Sequence, residues 1–229
     1  DQNRGLSKAV FNFNYKGRLG AKAGQISFDW DYITYNRNST EFLTNEFVDA
    51  AEHAYRESLH LKNSSPSEYD IHSVKIDYAV SLNKVAKLEL GLQGSDVKVN
   101  SQLDFGRIVS DSYYPDPRFI NHFLINERIG AAYINYDLSL KKSSLSLGLR
   151  AEQTNSKGTS LTSGEINSRH YFDFFPNIQF TYPYNKDNSF LFSYSRRITR
   201  PGYDNLNPFV AYLDQYSFRS GNPLLKPEF

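Results

Sequence analysis

Apolar and polar residues alternate with a period of two along most of this chain. Between Ser7 and Lys16 the apolar side chains occupy every second position, and the pattern resumes on the way to Tyr35. Successive side chains of a β-strand point to opposite faces, so such a segment forms a strand with one apolar face. Further segments of this kind cover about 71–82, 88–100, 127–140, 145–150, 170–184 and 190–195. The pattern predicts an all-β, antiparallel fold with about eight strands in this chain.

The connections between the predicted strands alternate in length. Tight turns are predicted near residues 17, 84, 141 and 186, the first of them at Lys16-Gly17-Arg18. Longer connections cover about 36–69, 101–122, 155–167 and the residues after Arg200, and 46–55 has the spacing of a short helix. Short turns at one end and long loops at the other are typical of bacterial outer-membrane barrels. We therefore expect an up-and-down barrel wall with periplasmic turns, and both ends of the chain on the extracellular side.

The alternation assigns each side chain to one surface of this wall, because a register slip of one residue would reverse every side chain. The residues expected to face lipid include Phe28, Trp30, Ile76, Val80, Leu88, Leu90, Ile134, Leu147, Phe180 and Phe192. Those expected to face the lumen include Ser73, Asp77, Glu89, Asp137, Arg150 and Gln179. Tyrosines near the turn ends would form an interfacial aromatic belt: Tyr15, Tyr78, Tyr136, Tyr182 and Tyr184.

Composition favours membrane strands and excludes several functions. Hydrophobic residues make up only 39% of the chain, yet it has 17 Tyr and 17 Phe, which suits strands that need one apolar face. Pattern alone leaves a soluble β-sandwich and a mixed fold open, although sandwich strands are usually shorter, at roughly 5 to 6 residues. The 26 basic residues are balanced by 25 acidic ones, which argues against nucleic-acid binding. Because the chain has no Met, we expect it to be part of a longer protein.

Residue clusters that would support catalysis or metal binding are weak. There is no Cys, and the five His residues lack metal-ligand spacing. Asp29 and Asp31 share a strand face, but scattered carboxylates are ordinary on the wet face of a barrel. No nucleophile elbow or phosphate loop occurs. We expect a protein that is not an enzyme and that needs no metal or cofactor.

Two groups of residues are candidates for ligand binding. Aromatic side chains beside charges can bind sugars or siderophores, and the second long loop carries Tyr113, Tyr114, Asp116 and Arg118. Arginines at the end of the last strand could attract an anionic ligand or lipid headgroups: Arg196, Arg197 and Arg200. Each group has a structural alternative. The first would be a proline-braced loop packed on its neighbours, and the second would be paired with carboxylates of the lumen or the loops.

Three motifs near the end of the chain carry a family resemblance. They are Tyr-Ser-Arg-Arg-Ile-x-Arg-Pro-x-Tyr at 194–203, Leu-Asn-Pro-Phe at 206–209 and Gly-Asn-Pro-x-Leu-Lys-Pro-Glu at 221–228. In this order and spacing they resemble the barrel of TonB-dependent outer-membrane receptors. The group they resemble most is the "outer membrane protein beta-barrel" family common in Bacteroidota. The resemblance is strongest over about 168–229, whereas the upstream strands match only in rhythm.

This resemblance implies a transmembrane β-barrel in the bacterial outer membrane, of which residues 1–229 are one part. The plug domain and the remaining strands would lie outside this chain. The receptor would take up a nutrient such as a glycan or a siderophore. Its partners would be outer-membrane lipid, the TonB complex through the plug, and a surface lipoprotein. Two alternatives remain: a non-transporting outer-membrane or surface protein with a structural or adhesive role, and a soluble binding module.

The last stretch is expected to be ordered. Residues 201–228 carry many apolar side chains and four prolines, so we expect an extracellular connection that folds back on the barrel mouth. Arg200 is expected to bond to groups of that same connection, with Asp204 or Asp214 as its partner.

Overall fold

The structure is a computed structural model that describes residues 2–19, 24–212 and 217–229. The helical parts are the 3-10 turn Pro117–Phe119 and the single turn α1 (Tyr203–Leu206). The strands are β1 (Gln2–Leu19), β2 (Gly24–Val48), β3 (Ala54–Ser64), β4 (Ser67–Ser81), β5 (Ala86–Val109), β6 (Ser112–Pro115), β7 (Asn121–Ser139), β8 (Ser144–Ser160), β9 (Ile166–Pro183), β10 (Ser189–Ser195), β11 (Val210–Tyr212) and β12 (Phe218–Ser220). Within the described residues, no helix has the length and apolar content required to cross a membrane.

The main sheet is an antiparallel meander. Its order is β1, β2, then β3 and β4 together, then β5, β7, β8, β9 and β10. Strands β3 and β4 pair with the same two neighbours, β2 and β5, and they act as one strand interrupted at Ser65-Pro66. The ladder continues across the interruption, because Ser65 N donates to Ser39 O and Gln102 N donates to Pro66 O. The predicted all-β, up-and-down antiparallel architecture is confirmed.

The tight turns define one end of the sheet, which we call the turn end. The turns predicted near 84, 141 and 186 are confirmed by bonds from Leu82 N to Ala86 O, Leu140 N to Ser143 O and Tyr184 N to Asn188 O. The turn predicted at 16–18 is wrong, since β1 continues to Leu19 and Gly17 pairs with Ile26. Pairing of this segment with β2 outweighs the preference of Gly17 for a turn. The connection to β2, residues 20–23, lies outside the described residues.

The opposite end, which we call the mouth end, is more regular than the sequence pattern indicates. Strand β2 runs through Glu46 to Val48, so the short helix expected at 46–55 is wrong. Pairing with β3 outweighs a helical period of only a few residues. The hairpin turns at residues 49–53, where the Asp49 carboxylate accepts from Ala51 N and His53 N at 2.9 Å.

The predicted loops at 36–69, 101–122 and 155–167 are therefore largely strand. Strand β5 continues to Val109, turns at Ser110 and Asp111 with positive φ, and returns as β6. Strands β8 and β9 leave only 161–165 between them. These segments lack an outward apolar face, which made them look like loops.

The register confirms the predicted division of side chains between two faces. Phe28 pairs with Ile76, Leu90 with Ile134 and Phe180 with Phe192 on one face. On the other, luminal face, Asp77 bonds with Tyr133, and Arg150 donates to Gln93 at 3.0 Å.

The apolar face of the strands changes between the two ends. In β5 the leucines at 88, 90 and 92 point outward, whereas Val97, Val99, Leu103 and Phe105 have luminal parity and are buried. The main core lies on this luminal surface at the mouth end, and its buried members are Tyr69, Val97, Val99, Phe123 and Ile125. Side chains from the end of the chain cover this core: Tyr203, Leu206 and Phe209.

Candidate functional site

The candidate site lies where the end of the chain covers the luminal face. We call residues 196–212 and 217–229 the mouth segment. It begins as β10 ends, with a last ladder bond from Arg196 N to Pro176 O at 3.1 Å. Pairing of β10 with β9 ends five residues before Pro201, which has no backbone N–H to donate to a strand. Gly202 precedes the first residue of α1, which turns the chain over the sheet.

Apolar packing holds α1 against the sheet. Leu206 and Phe209 lie on the buried core, and the Phe209 ring meets the Phe123 ring edge-on with centroids 6.4 Å apart. Each Å2 of apolar surface removed from water contributes roughly 25 cal/mol. The luminal face is thereby filled by protein at the mouth end.

Two tyrosines fix the same turn through carboxylates. The Tyr203 hydroxyl donates to Glu127 at 2.8 Å, and the Tyr69 hydroxyl donates to Asp204 at 3.2 Å. Asp204 also lies 3.6 Å from the Arg37 guanidinium. Burial and the neighbouring Glu127 carboxylate raise the pKa of Tyr203 far above its ordinary value, so its hydroxyl keeps its proton. Because Glu127 is buried, this hydrogen bond satisfies a carboxylate that would otherwise lack water.

Arg200 anchors the start of the mouth segment to β8 and β9. Its guanidinium pairs with the buried carboxylate of Glu152 and donates to Thr154 Oγ1 at 3.0 Å and to the Tyr171 hydroxyl at 3.2 Å. Burial opposes the charge, but the hydrogen bonds to Glu152 and Tyr171 and the charge of Glu152 together outweigh it and raise the pKa of Arg200. The expected partner Asp204 is wrong, since that carboxylate bonds to Tyr69 instead, and Asp214 lies outside the described residues.

A polar network continues from this anchor into the lumen. Glu152 also accepts from Arg150 Nε at 2.9 Å. The Arg150 guanidinium lies 5.8 Å from the centre of the Tyr133 ring, whose hydroxyl bonds to Asp77. Asp77 pairs in turn with Lys75 at 2.8 Å. Charged and hydrogen-bonding groups therefore follow the luminal face from the mouth towards the turn end.

The return of the mouth segment is bonded to the sheet as well. Thr199 and Glu228 exchange backbone bonds of 2.8 and 3.0 Å. Arg169 donates to the carbonyl oxygens of Pro223 and Leu225. At Gly221 any side chain would lie 2.2 Å from Asn207 O, so only glycine fits. The expectation that this stretch folds back is confirmed for the described residues.

A small polar cavity lies between the mouth segment and the sheet. Its volume is about 130 Å3. Charged and amide groups line it, including Arg37, Asn63, Asp204 and Arg219, together with three serines. Asn63 is buried and its side-chain oxygen has no hydrogen-bond partner in the part of the chain that the structure describes. The cavity is suited to a small, hydrogen-bonding molecule.

The first predicted binding group lies on the β5–β6 hairpin and the 3-10 turn. The Tyr113 hydroxyl donates to Asp104 at 2.6 Å, while Tyr114 is exposed. Asp116 accepts from Arg118 Nη2 at 2.6 Å and from Arg118 Nε at 3.0 Å. This side-chain bond lowers the pKa of Asp116 to about 2. Tyr114 is the most accessible aromatic ring of the group.

The second group is split between bonded and exposed arginines. Arg196 donates to Phe174 O at 2.6 Å and to Asp173 at 3.1 Å, and it lies 4.1 Å from the centre of the Phe229 ring. Arg197 is exposed. The first group contacts β5, whereas Arg196 and Arg200 contact β8 and β9, so the structure does not bring the two groups together.

Several residues that form the site carry no distinctive signal in the sequence. Tyr203 belongs to a recognised motif, but its partner Glu127 and the Arg200 partner Glu152 are ordinary polar positions of alternating strands. Arg169 was likewise not singled out. The one available signal for Glu127 and Glu152 is that the alternation places both side chains on the luminal face.

Comparison with known proteins supports the architecture. The model of the "Outer membrane protein beta-barrel family" matches residues 17–229. Among solved structures, the chain is similar to the ferric citrate transporter FecA in its unliganded form, with a TM-score of 0.57 and 12% identity. The match covers 78% of this chain and 25% of that transporter, so the chain spans about a quarter of its length. Comparison with curated proteins gave no significant match.

The antiparallel sheet has one apolar face, which suits lipid, and polar groups on its luminal face. The family model also matches most of the sequence. The chain belongs to the outer membrane protein β-barrel family and forms part of a β-barrel in the bacterial outer membrane.

Proposed function

We propose that this chain is part of the barrel of a TonB-dependent receptor that imports a nutrient across the outer membrane. The observation that carries the proposal is the covered mouth: the chain's own mouth segment is bonded across β4, β7, β8 and β9 on the luminal face. A segment bonded across the luminal face would hinder free diffusion through the barrel, which fits a receptor better than an open pore. The structural likeness to a transporter supports the same function.

In this proposal residues 1–229 belong to one barrel domain. The remaining strands would pair with the free edges of β1 and β10, and a separate plug domain would contact the energised TonB complex. The polar network from Arg200 to Lys75 would face that plug. The protein would act without chemical catalysis and would cooperate with outer-membrane lipid and a surface lipoprotein.

Ligand capture is assigned to the extracellular side. Tyr114 and Arg197 are exposed and can contact a ligand directly. Tyr113, Asp116, Arg118, Arg196 and Arg200 already have protein partners, so they would shape the surface around it. A glycan or a siderophore has the size and hydrogen-bonding capacity that such a surface requires.

Uptake by cells lacking the gene tests the function. We expect those cells to lose growth on one scarce, bulky nutrient, and cells lacking TonB to show the same loss. Expression of the full-length gene should restore growth, and short-term uptake of that nutrient should stop when the proton-motive force is dissipated. Growth that is independent of both the gene and TonB on every nutrient tested would favour a structural or adhesive protein.

Cysteine labelling of intact cells tests the orientation separately. A membrane-impermeant reagent should label Ser163→Cys at the mouth end and leave Lys142→Cys at the turn end unlabelled. The two positions flank the same hairpin strand β8 and are both exposed, so accessibility within the protein is matched. The reverse pattern would show that the mouth faces the periplasm.

A further inference from the structure

The outer surface of the sheet changes from apolar to polar within two rows of paired residues. Rows are read across β5, β7, β8 and β9 from the strand register. The apolar part includes the row Leu92, Ala132, Ala151 and Phe174 and extends to the turn end. A row of Gly94, Gly130, Gln153 and Phe172 follows. The next two rows are Asp96, Arg128, Asn155, His170 and Lys98, Asn126, Lys157, Ser168.

These polar rows follow directly after the outer apolar surface along the strands. Rows on one face are about 7 Å apart, because a strand rises about 3.4 Å per residue. Because barrel strands tilt by roughly 35–45°, the polar rows begin about 5 Å along the membrane normal beyond Phe172, the last aromatic residue of the outer apolar surface on β9. That distance places the polar rows in the headgroup layer, which borders the hydrocarbon core. The core and the headgroup layers together are about 40–45 Å thick.

A groove on this outer face has the chemistry of an anion site. We call it the donor groove; its volume is about 430 Å3, and it is lined by Asn126, Arg128, Asn155, Ser156, Lys157, Ile166, Ser168 and His170. None of these lining residues carries a carboxylate. Amide, hydroxyl, ammonium and guanidinium groups together suit the oxygens of a phosphate.

The two cations of the donor groove are accessible. Lys157 is exposed, and the Arg128 side chain is 66% exposed. Arg128 donates through Nε to Asp96 at 3.2 Å, a contact that does not use its terminal nitrogens. His170 Nδ1 donates to Asn155 Oδ1 at 2.8 Å, which fixes the ring beside them. Arg128 and His170 therefore already have protein contacts that restrict their positions.

We propose that the donor groove binds the phosphorylated headgroup of an outer-leaflet lipid. Continuity with the apolar surface decides for a lipid instead of a soluble anion. Phe172 and Phe174 follow His170 on the same face of β9, their rings are 5.0 Å apart, and both are more than half exposed. An acyl chain can lie along these rings while the phosphate contacts Lys157 and Arg128.

The test uses the full-length protein purified in detergent, with lipid A as the probe and native mass spectrometry to count bound lipid. Each basic residue near a membrane surface contributes about fivefold to binding of anionic lipid. We expect Lys157→Gln to weaken binding about fivefold, and Lys157→Gln with Arg128→Gln about 25-fold. Lys142→Gln, at the other end of the same hairpin, is the matched control and should bind like the wild type.

Two further measurements keep the proposal falsifiable if a variant misfolds. Wild-type protein should bind lipid A at least tenfold more tightly than the same lipid without its phosphates; equal binding would overturn the proposal. Saturation by inorganic phosphate alone, with no lipid A bound, would show a soluble-anion site and would also overturn it. A loss of binding in Lys142→Gln equal to that in Lys157→Gln would mean that general charge, and not the groove, attracts the lipid.

Discussion

The apolar side chains of strand β5 lie on opposite faces of the sheet at its two ends. At the turn end of β5, Leu90 and Leu92 point outward and remain 42% and 58% exposed on the protein surface. At the mouth end, Val99 and Leu103 have luminal parity and are only 3% and 4% exposed. Strands β4 and β7 show the same reversal, because Tyr69, Ile71, Phe123 and Ile125 are luminal whereas Val74, Ile76, Ile134 and Tyr136 point outward.

The reversal reflects the different surroundings of the two halves of the sheet, which are the membrane at the turn end and water at the mouth end. Within the membrane the outside contacts lipid and the inside is wet, so apolar residues belong outside. Beyond the membrane the outside contacts water, and the apolar residues must be covered from within. The mouth segment supplies that cover. Lipid thus stabilises one half of each strand, and the protein's own chain stabilises the other.

Removal of the central carboxylate of the mouth should have the largest effect. Glu152→Ala would leave the part-buried guanidiniums of Arg200 and Arg150 without their counter-charge. We expect the free energy of unfolding to fall by about 3–5 kcal/mol. Urea unfolding in lipid vesicles measures this, with the exposed Glu165→Ala as control. A loss no greater than that of the control would show that the anchor does not hold the mouth.

A charge on the outer face should cost less and should depend on the face. Leu90→Lys places an ammonium in hydrocarbon and should lower the free energy of unfolding by about 2–4 kcal/mol. Glu89→Lys, one residue away on the wet luminal face, should cost much less. The same unfolding assay in vesicles compares them. Equal tolerance at both positions would contradict the assignment of lipid and lumen.

Loss of one hydroxyl at the mouth should be smaller still. Tyr203→Phe removes the donor to buried Glu127 and should cost about 1.5–3 kcal/mol, the range for a hydrogen bond to a charged group. Trypsin cleavage after Arg219 should become faster as the mouth segment opens more often. Tyr194→Phe on the outer face is the control. Unchanged cleavage would mean that the Tyr203 hydrogen bond does not help to hold the segment.

The smallest effect is a local titration on the β5–β6 hairpin. The Asp116 carboxyl should titrate at about 2, below its ordinary value of 3.8, because Arg118 bonds to the charged form. Its contribution to stability is complete above the ordinary pKa and is lost as the pH falls through about 2. Carbon-13 NMR of the carboxyl measures the midpoint. Arg118→Gln should move it back towards 3.8, and a midpoint unaffected by that change would contradict the ion pair.

Local pattern was sufficient for the half of the wall that lies in the membrane. Alternation is a property of neighbouring residues, so it assigned the faces of β4, β5 and β9 without knowledge of their partners. Asn83 and Asn185 accept backbone N–H groups within their own turns, which is why the turns there could be predicted. The candidate residues Tyr113, Tyr114, Asp116, Arg118, Arg196, Arg197 and Arg200 stay predictions as a ligand site.

The same reasoning failed where the phase of alternation reverses. Residues 97–105 are as periodic as 88–92, but their apolar side chains move to the other face, and the break resembled the start of a loop. A strand that changes its buried face is recognisable only when its covering partner is known. That partner, the mouth segment, begins at residue 196, about ninety residues further along the chain.

The sequence by itself determined the membrane half of the strands, its two faces and the turns near 84, 141 and 186. The tertiary structure decided the contacts of the mouth. Arg200 pairs with Glu152, and Tyr203 with Glu127, because β7 and β8 present those carboxylates to the luminal side where the returning chain passes. Such partners depend on how far strands are staggered and where a distant segment crosses them. Neither quantity is encoded in the spacing of neighbouring residues.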